Sequence, residues 1–595
     1  MKEFFKMMFA SMLGVMLSGL LLMLIMFIMF ASIISFSSGD EVSVPDKALL
    51  HIKLDMSVVE RAPKNPFEDF GGFGNERVMG LNQILGCLEK AASDDHIKGV
   101  LIDMGMLDAG PATVEEIRNA LLQFRKSGKP VIAYGDMVPQ RSYYLASAAD
   151  KVYLNPLGSL EFTGLSAQMA FVRGLAEKLK VEMQIIRPEG NTYKSAVEPF
   201  YLDKMSEANR DQTGKYLRSG WDMMLSNLAE SRKLSPEKLN ALADSLTGFK
   251  AANAYEAGLV DGLMYRDQLI DSLKKVLDPK EKTAPNIITL ARYSKAIRQN
   301  DPGKGSKGKS DGQIAVIYAN GNIVMGEEEE SVISATHISK TIRKARENKK
   351  IKAIVLRINS GGGDGLASEI IWREVELARK EKPVVVSMGD YAASGGYYIA
   401  CAATRIVAQP NTLTGSIGVF GVMPNMQQMF REHLGITFDE VKTHQHSTFG
   451  SPLKPLDPYE YTMLKQYVED FYNHFLQRVS EGRNMTVAQV DSIGQGRIWA
   501  GTDALQIGLV DTLGGLDVAV KIAAAEAKLK NYKTVDLPHQ TDPFMRLMKQ
   551  LSGEASVQQA IRESLGVNYA FYEMLTSLGE LKGIQARLPF VMTMN

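Results

Sequence analysis

Cysteine and histidine are both scarce in this chain of 595 residues, and each scarcity removes a class of explanation. Two cysteines, Cys87 and Cys401, cannot build a disulfide framework. Each falls inside an apolar helical pattern, where a free thiol behaves as a small buried hydrophobe, so the fold must be held by its cores. The eight histidines show no triad or zinc-ligand spacing. His444 and His446, the nearest pair, sit on a polar, loop-like stretch that reads as solvated surface. An excess of one charge sign is also missing. With 68 basic and 68 acidic residues the formal net charge is zero, which argues against nucleic acid as a partner. Hydrophobic residues at 45% and charged residues at 23% describe a globular chain. Its length calls for roughly three or four domain-sized units.

One long stretch lacks charge altogether. After Lys2, Glu3 and Lys6 the next charged residue is Asp40, and Met7 to Phe36 is almost wholly apolar. A secretory signal has a hydrophobic run of ~7–15 residues, whereas a spanning helix needs ~20. Residues 1–40 are therefore expected to form a cytoplasmic stub and an uncleaved signal anchor in the lipid bilayer. Lys2 and Lys6 precede the span while Asp40, Glu41 and Asp46 follow it. The positive-inside rule then places the bulk of the chain outside, on the outer face of the plasma membrane in a bacterium.

Beyond the span the chain repeats itself at an interval of about 250 residues. Ile97-Lys98-Gly99-Val100-Leu101-Ile102 returns as Ile351-Lys352-Ala353-Ile354-Val355-Leu356, and Tyr143-Tyr144-Leu145-Ala146 as Tyr397-Tyr398-Ile399-Ala400. Gly258-Leu259-Val260-Asp261 returns as Gly508-Leu509-Val510-Asp511. Each copy alternates β-branched runs with amphipathic stretches: a strand near Ile97 to Asp103, a helix near Thr113 to Lys126, a strand near Pro130 to Tyr134. In the second copy these become Ile351 to Ile358, Gly365 to Lys380 and Pro383 to Met388. Such βαβ units predict an α/β fold. The expected boundaries are 45–298 for the first copy, 299–312 for a Gly/Lys/Ser-rich flexible linker, 313–530 for the second copy and 531–595 for a helical tail. Gly303 to Ser310 inside the linker fits the phosphate-loop expression G-x-x-x-x-G-K-[ST]. It follows a polar stretch and precedes a strand, whereas a phosphate loop leaves a buried strand and opens a helix, so the match is rejected as a nucleotide site.

The chemistry gathers in two glycine-rich places, each after an expected buried strand of the second copy: Asn359-Ser360-Gly361-Gly362-Gly363 and Ala392-Ala393-Ser394-Gly395-Gly396. Strand ends leading into helices are where α/β sheets place ligands. Ser394 is the candidate nucleophile. The amide of Gly395, with that of Gly362 or Gly363, is the candidate oxyanion hole, since glycine lets backbone approach a reacting carbonyl closely. A serine needs a base, and a lysine with its pKa lowered by burial can serve. Lys194, in a short turn-like segment with apolar flanks, is a candidate for that part.

Three segments, Tyr193-Lys194-Ser195-Ala196-Val197-Glu198-Pro199-Phe200, Ala392-Ala393-Ser394-Gly395-Gly396-Tyr397-Tyr398 and Thr414-Gly415-Ser416-Ile417-Gly418, closely resemble the signal peptide peptidase A family, also called protease IV, in its long two-repeat form. The resemblance covers nearly the whole chain. It implies tandem Clp-protease/crotonase-like domains behind an N-terminal transmembrane helix, nucleophile Ser394, general base Lys194, and Ser416 orienting the lysine amine. It also implies a serine endopeptidase without cofactor or metal, acting on remnant signal peptides and other hydrophobic peptides, and assembled as a homotetramer. The chain departs from the family at the oxyanion turn, where Ser360-Gly361-Gly362-Gly363-Asp364 replaces the usual Ser-Pro-Gly-Gly-Ser. Aligning the copies sets Gln140 opposite Ser394 and Phe449 near the place of Lys194, so each half has kept one of the two groups. A crotonase-fold acyl-CoA enzyme and a non-catalytic membrane scaffold remain as alternatives.

Overall fold

The computed structural model describes residues 2–37, 42–62, 78–277, 285–300, 310–327, 332–540 and 584–588. The two copies fold as two parallel sheets, each covered by helices on both faces. In the first sheet the order is Asn286–Thr289, Ala48–Lys53, Ile97–Asp103, Val131–Val138, Lys151–Leu160, Gly262–Leu263, with every pairing parallel. Apolar runs such as Val100-Leu101-Ile102, buried at every position, are what a sheet covered on both sides requires. The second sheet repeats this plan around Gly312–Asn320, Ile351–Ser360 and Val384–Ala393. The expected elements form in both copies, including helices Pro111–Arg125 and Gly365–Glu381. The strand expected at Pro383 to Met388 runs on to Ala393 and delivers the chain to Ser394. Both cysteines are buried in helices or at a helix end.

The second copy ends later than the sequence suggested. Tyr532–Leu537, placed in a helical tail, is a strand that pairs in parallel with Gly312–Asn320. It repeats the edge strand Asn286–Thr289, which pairs with Ala48–Lys53 in the first copy. As short, half-exposed edge strands, neither carries the long apolar run that marks a central strand. The tail returns as a second strand, Ile584–Arg587. Residues 541–583 and 589–595 lie outside the described residues, as does most of the phosphate-loop match, residues 301–309. The helix Leu290–Asn300 reaches into the expected linker, and a strand begins at Gly312.

The two copies are interleaved. Strand Glu182–Ile186 of the first pairs antiparallel with Phe420–Asn425 of the second, from Gly421↔Ile186 to Asn425↔Glu182. This pair closes a smaller sheet ordered Val332–Ser334, Asn322–Val324, Gly362–Asp364, Ile584–Arg587, Phe420–Asn425, Glu182–Ile186. Helix Glu207–Arg232 of the first copy also reaches the second, where the Tyr216 hydroxyl donates to the Asn411 carbonyl at 2.9 Å. A buried ionic cluster crosses the same boundary. Arg357 Nε and Nη2 donate to the Glu60 carboxylate at 2.8 and 3.0 Å, and Nη2 lies 2.7 Å from Glu116 Oε1. Its remaining Nη1 donates to Ser387 Oγ and the Met388 carbonyl. Two carboxylates share one guanidinium in a dry site, and burial pushes the Glu116 carboxyl up. Nearby, Asp390 accepts from the Thr113 amide at 3.0 Å and its hydroxyl at 2.7 Å.

At the amino end lies the helix Lys2–Ser37, whose segment Lys2–Ile25 is exposed and long and apolar enough to cross a membrane.

Replacing Arg357 should leave Glu60 and Glu116 buried without their cation. We expect Arg357→Met to cost about 3–5 kcal/mol in chemical denaturation, the usual penalty for breaking a buried pair by removing one partner. The double variant Arg357→Met with Glu60→Gln should recover part of it.

Candidate active site

Ser394 sits where the strand Val384–Ala393 turns into the helix Gly395–Ala400. Its backbone, φ 55° and ψ −116°, is a conformation that a non-glycine residue holds only under constraint from its surroundings. The constraint here is two hydrogen bonds: the Ser394 amide donates to the Gly415 carbonyl, and the Tyr398 amide donates to the Ser394 carbonyl, both at 2.8 Å. The hydroxyl thereby projects from a sharp strand-to-helix turn, the geometry that exposes a nucleophile. It donates to the Gly418 carbonyl at 3.3 Å.

Lys194 arrives from the first copy on the segment that follows Glu182–Ile186. That segment is fixed to the second copy by Asn191 Nδ2, which donates to the Val419 carbonyl at 3.1 Å, and by the Tyr193 amide, which donates to the Gln495 carbonyl at 2.9 Å. The lysine is wholly buried. Its Nζ lies 2.7 Å from Ser394 Oγ, 3.0 Å from Ser416 Oγ and 3.3 Å from the Ser416 carbonyl. Burial pulls its pKa well below the ordinary lysine value, because no carboxylate among the described residues compensates an ammonium there. The resulting neutral amine, within hydrogen-bonding distance of a hydroxyl, is able to accept that hydroxyl's proton.

The oxyanion glycines separate into two kinds. The Gly362 amide donates to Ser360 Oγ at 3.1 Å, so it is turned away from the serine. Gly362 has φ +102°, and a side chain there would meet the Ala586 carbonyl oxygen at 1.9 Å and the Gly395 nitrogen at 2.8 Å. Gly363 and Gly395 are therefore the amides that flank one small space beside Ser394. All six residues singled out in the sequence, Lys194, Gly362, Gly363, Ser394, Gly395 and Ser416, converge on this place.

Sequence reasoning missed Gly496. A Cβ there would lie 2.5 Å from the Lys194 Cα, so only glycine lets the 495–497 segment run flush against the lysine. The Gly496 amide donates to the Ile417 carbonyl and the Ser416 amide to the Arg497 carbonyl, both at 2.7 Å, which fixes Ser416 next to Lys194. The available signal was the closely spaced pair Gly494 and Gly496. His446 also differs from its reading as a solvated residue without carboxylate neighbours. It lies 3.2 Å from Glu460 and 3.4 Å from Asp457, while Lys454 Nζ sits 2.9 Å from the same Glu460 and supplies its counter-charge.

With this geometry in place, likeness to known proteins can be weighed. The profile of peptidase family S49 matches residues 123–279 and 376–530, and that of Clp protease matches 306–414. Protease 4 of Salmonella typhi is 38% identical over 494 residues, which are 82% of this chain and 78% of that protein. The chain belongs to peptidase family S49. Protease 4 of Haemophilus influenzae is 34% identical over 83% of this chain and 82% of its own length. The chloroplastic serine protease SPPA of Arabidopsis thaliana is 33% identical over 86% of this chain and 75% of its own. This S49 chain is thus a serine protease of the signal peptide peptidase A family in its two-repeat form, with a duplicated Clp-protease-like fold.

The first S49 unit has a glutamine where the second has Ser394. Gln140 Nε2 donates to the Gly164 carbonyl at 2.9 Å, and its Oε1 accepts from the amides of Thr163 and Gly164 at 2.8 and 3.0 Å. Gly164 is the repeat counterpart of Gly418. The side-chain amide therefore bonds to the backbone that, in the second unit, faces the serine.

Burial of Lys194 has a consequence for stability. The unfolded chain keeps the lysine proton up to its ordinary pKa, whereas the folded chain releases it at lower pH. Between those two values the unfolded state binds more protons, so this group's contribution to stability rises with pH. We expect Lys194→Met to flatten that rise and to increase the melting temperature at neutral pH, as checked by calorimetry across pH 6–9.

Proposed function

We propose that this S49 protease is a membrane-anchored serine endopeptidase that cuts remnant signal peptides and other hydrophobic peptides through a Ser394/Lys194 dyad. The observation that carries the reading is the buried, uncompensated Lys194 amine 2.7 Å from Ser394 Oγ. In the forward step Lys194 Nζ takes the Ser394 proton as Oγ bonds to the peptide carbonyl carbon. The amides of Gly363 and Gly395 hold the developing oxyanion. Lys194 then protonates the departing amine, and a water that gives up its proton to the same nitrogen hydrolyses the acyl-enzyme. Ser416 Oγ keeps the amine aimed at Ser394. Signal-peptide remnants enter as substrate because the sequence resembles that family and because the helix Lys2–Ile25, read as an anchor, raises the concentration of membrane peptides near the site. Lys2 and Lys6 on one side of it put the body on the outer face of a bacterial plasma membrane.

The repeat also supports a ring, a homotetramer in this reading. The first-copy segment that carries Lys194 clasps the second copy, but its second-copy counterpart, residues 434–455, is exposed, with Val441, Phe438 and Phe449 open to solvent. The first copy of a neighbouring chain, around Gln140, is the matching receptor.

With a fluorogenic hydrophobic peptide, Ser394→Ala and Lys194→Ala should each lower kcat/KM by at least ~10³-fold without loss of assembly. For the wild type, kcat/KM should rise with pH along a limb centred below the ordinary lysine pKa, because the base must be neutral. Full activity of Lys194→Ala would reject the dyad. In sedimentation, Val441→Asp with Phe449→Asp should convert the assembly to single chains. An unchanged sedimentation coefficient would reject the ring contact.

A further inference from the structure

The strand Ile584–Arg587 lies between the two edges that a substrate of this site would use. On one side it pairs antiparallel with the oxyanion segment, Gly362↔Arg587, Gly363↔Ala586 and Asp364↔Gln585. On the other it pairs antiparallel with Phe420↔Gln585 and Gly421↔Ile584. Take it away, and Gly362–Asp364 and Phe420–Gly421 face each other across a gap one strand wide beside Ser394. An extended peptide entering such a gap is held by main-chain hydrogen bonds on both sides, the strand-addition mode of recognition.

The register places one particular carbonyl at the glycines. Leu588 donates its amide to the Gly361 carbonyl at 2.7 Å. Hydrogen-bonded pairs recur every second residue in an antiparallel ladder, so the next such pair is Gly363 with Ala586, and the Ala586 carbonyl accepts from the Gly363 amide. The same oxygen lies 1.9 Å from the point where a Gly362 Cβ would be and 3.0 Å from the corresponding point on Gly395. The Ala586 carbonyl therefore occupies the space between the two amides assigned to the oxyanion. The side chains agree with this register. Ala586 and Ile584, on one face of the strand, are buried in the second-copy core with Ile323, Val419 and Tyr398, in a slot that holds a methyl group beside the serine. Ser394 itself is fully covered.

We propose that Ile584–Leu588 is a tethered substrate of its own active site, bound in register for cleavage between Ala586 and Arg587. This inference rests on the Ser394/Lys194 reading. Ser394 Oγ bonds to the Ala586 carbonyl carbon while its proton passes to Lys194 Nζ. The Ala586–Arg587 C–N bond breaks, and the Arg587 nitrogen takes that proton and leaves as an amine. Water then hydrolyses the Ala586 ester, leaving Ala586 as a carboxylate and restoring the Ser394 hydroxyl. Until the strand is cut and withdraws, the groove is closed to other peptides.

The test is the intact mass and carboxyl-terminal peptide of the purified full chain over time after synthesis, for wild type, Ser394→Ala and Ala586→Trp, each also assayed on a fluorogenic hydrophobic peptide. Wild type should come to end at Ala586, at a rate independent of protein concentration, with peptide hydrolysis rising in step. Ser394→Ala should keep residues 587–595. Ala586→Trp, too large for the slot, should keep them while still hydrolysing the added peptide. A wild type that hydrolyses the added peptide with its tail whole overturns the inference and leaves the dyad standing. So does a new terminus at any other bond, or conversion that speeds up with concentration. A wild type that cuts neither tail nor peptide overturns the dyad reading and this inference together.

Discussion

An amine cannot act as a base near neutral pH while it is free to hold a proton in water, and the rest of this structure follows from keeping one amine dry. Desolvation is what lowers the Lys194 pKa, so the lysine must be enclosed on every side and yet touch Ser394. A single α/β unit offers its strand ends to solvent. The second unit is roofed instead by a segment of the first, through the strand Glu182–Ile186 and the helix Glu207–Arg232. The cost of such an arrangement is a wide boundary between two cores, and that boundary has its own polar anchors. Arg357 with Glu60 and Glu116, and Asp390 with Thr113, fix the relative position of the halves close to the strands that end at the site.

Duplication made this division possible. Two copies of one fold begin with two equivalent strand-to-helix turns, but only one of them is roofed within the chain. The other has lost its serine, and Gln140 there satisfies the backbone of Thr163 and Gly164. The amide is long enough to reach groups that a serine hydroxyl would leave open. What reads as loss of a catalytic group is, locally, a well-bonded turn.

The framework was legible because central parallel strands must be apolar throughout. Ile97–Asp103 and Ile351–Ser360 announce themselves, and their repetition gives the two-unit plan. Ser394, Lys194 and Ser416 were legible through local motifs flanked by glycine or by apolar residues. Other parts depend on contacts between segments far apart in sequence. Tyr532–Leu537 is half-exposed and polar in alternation, so only its pairing with Gly312–Asn320 makes it a strand. Gly496 matters because of where Lys194 lies, a separation of 302 residues in the numbering. Glu60 and Glu116 look like ordinary surface acids until Arg357 meets them in the interior.

The order of the two groups along the chain has a temporal meaning. Lys194 is made first and Ser394 some 200 residues later, and neither lies in a complete site until the second core has formed around Gly415, Ser416 and the 495–497 segment. A chain still being synthesised, or one whose second half has misfolded, holds an ordinary solvated lysine and an ordinary serine. Hydrolytic capacity therefore appears only as the last step of folding, so that correct tertiary structure itself licenses the enzyme, and incomplete copies pass through the cell without the ability to cut.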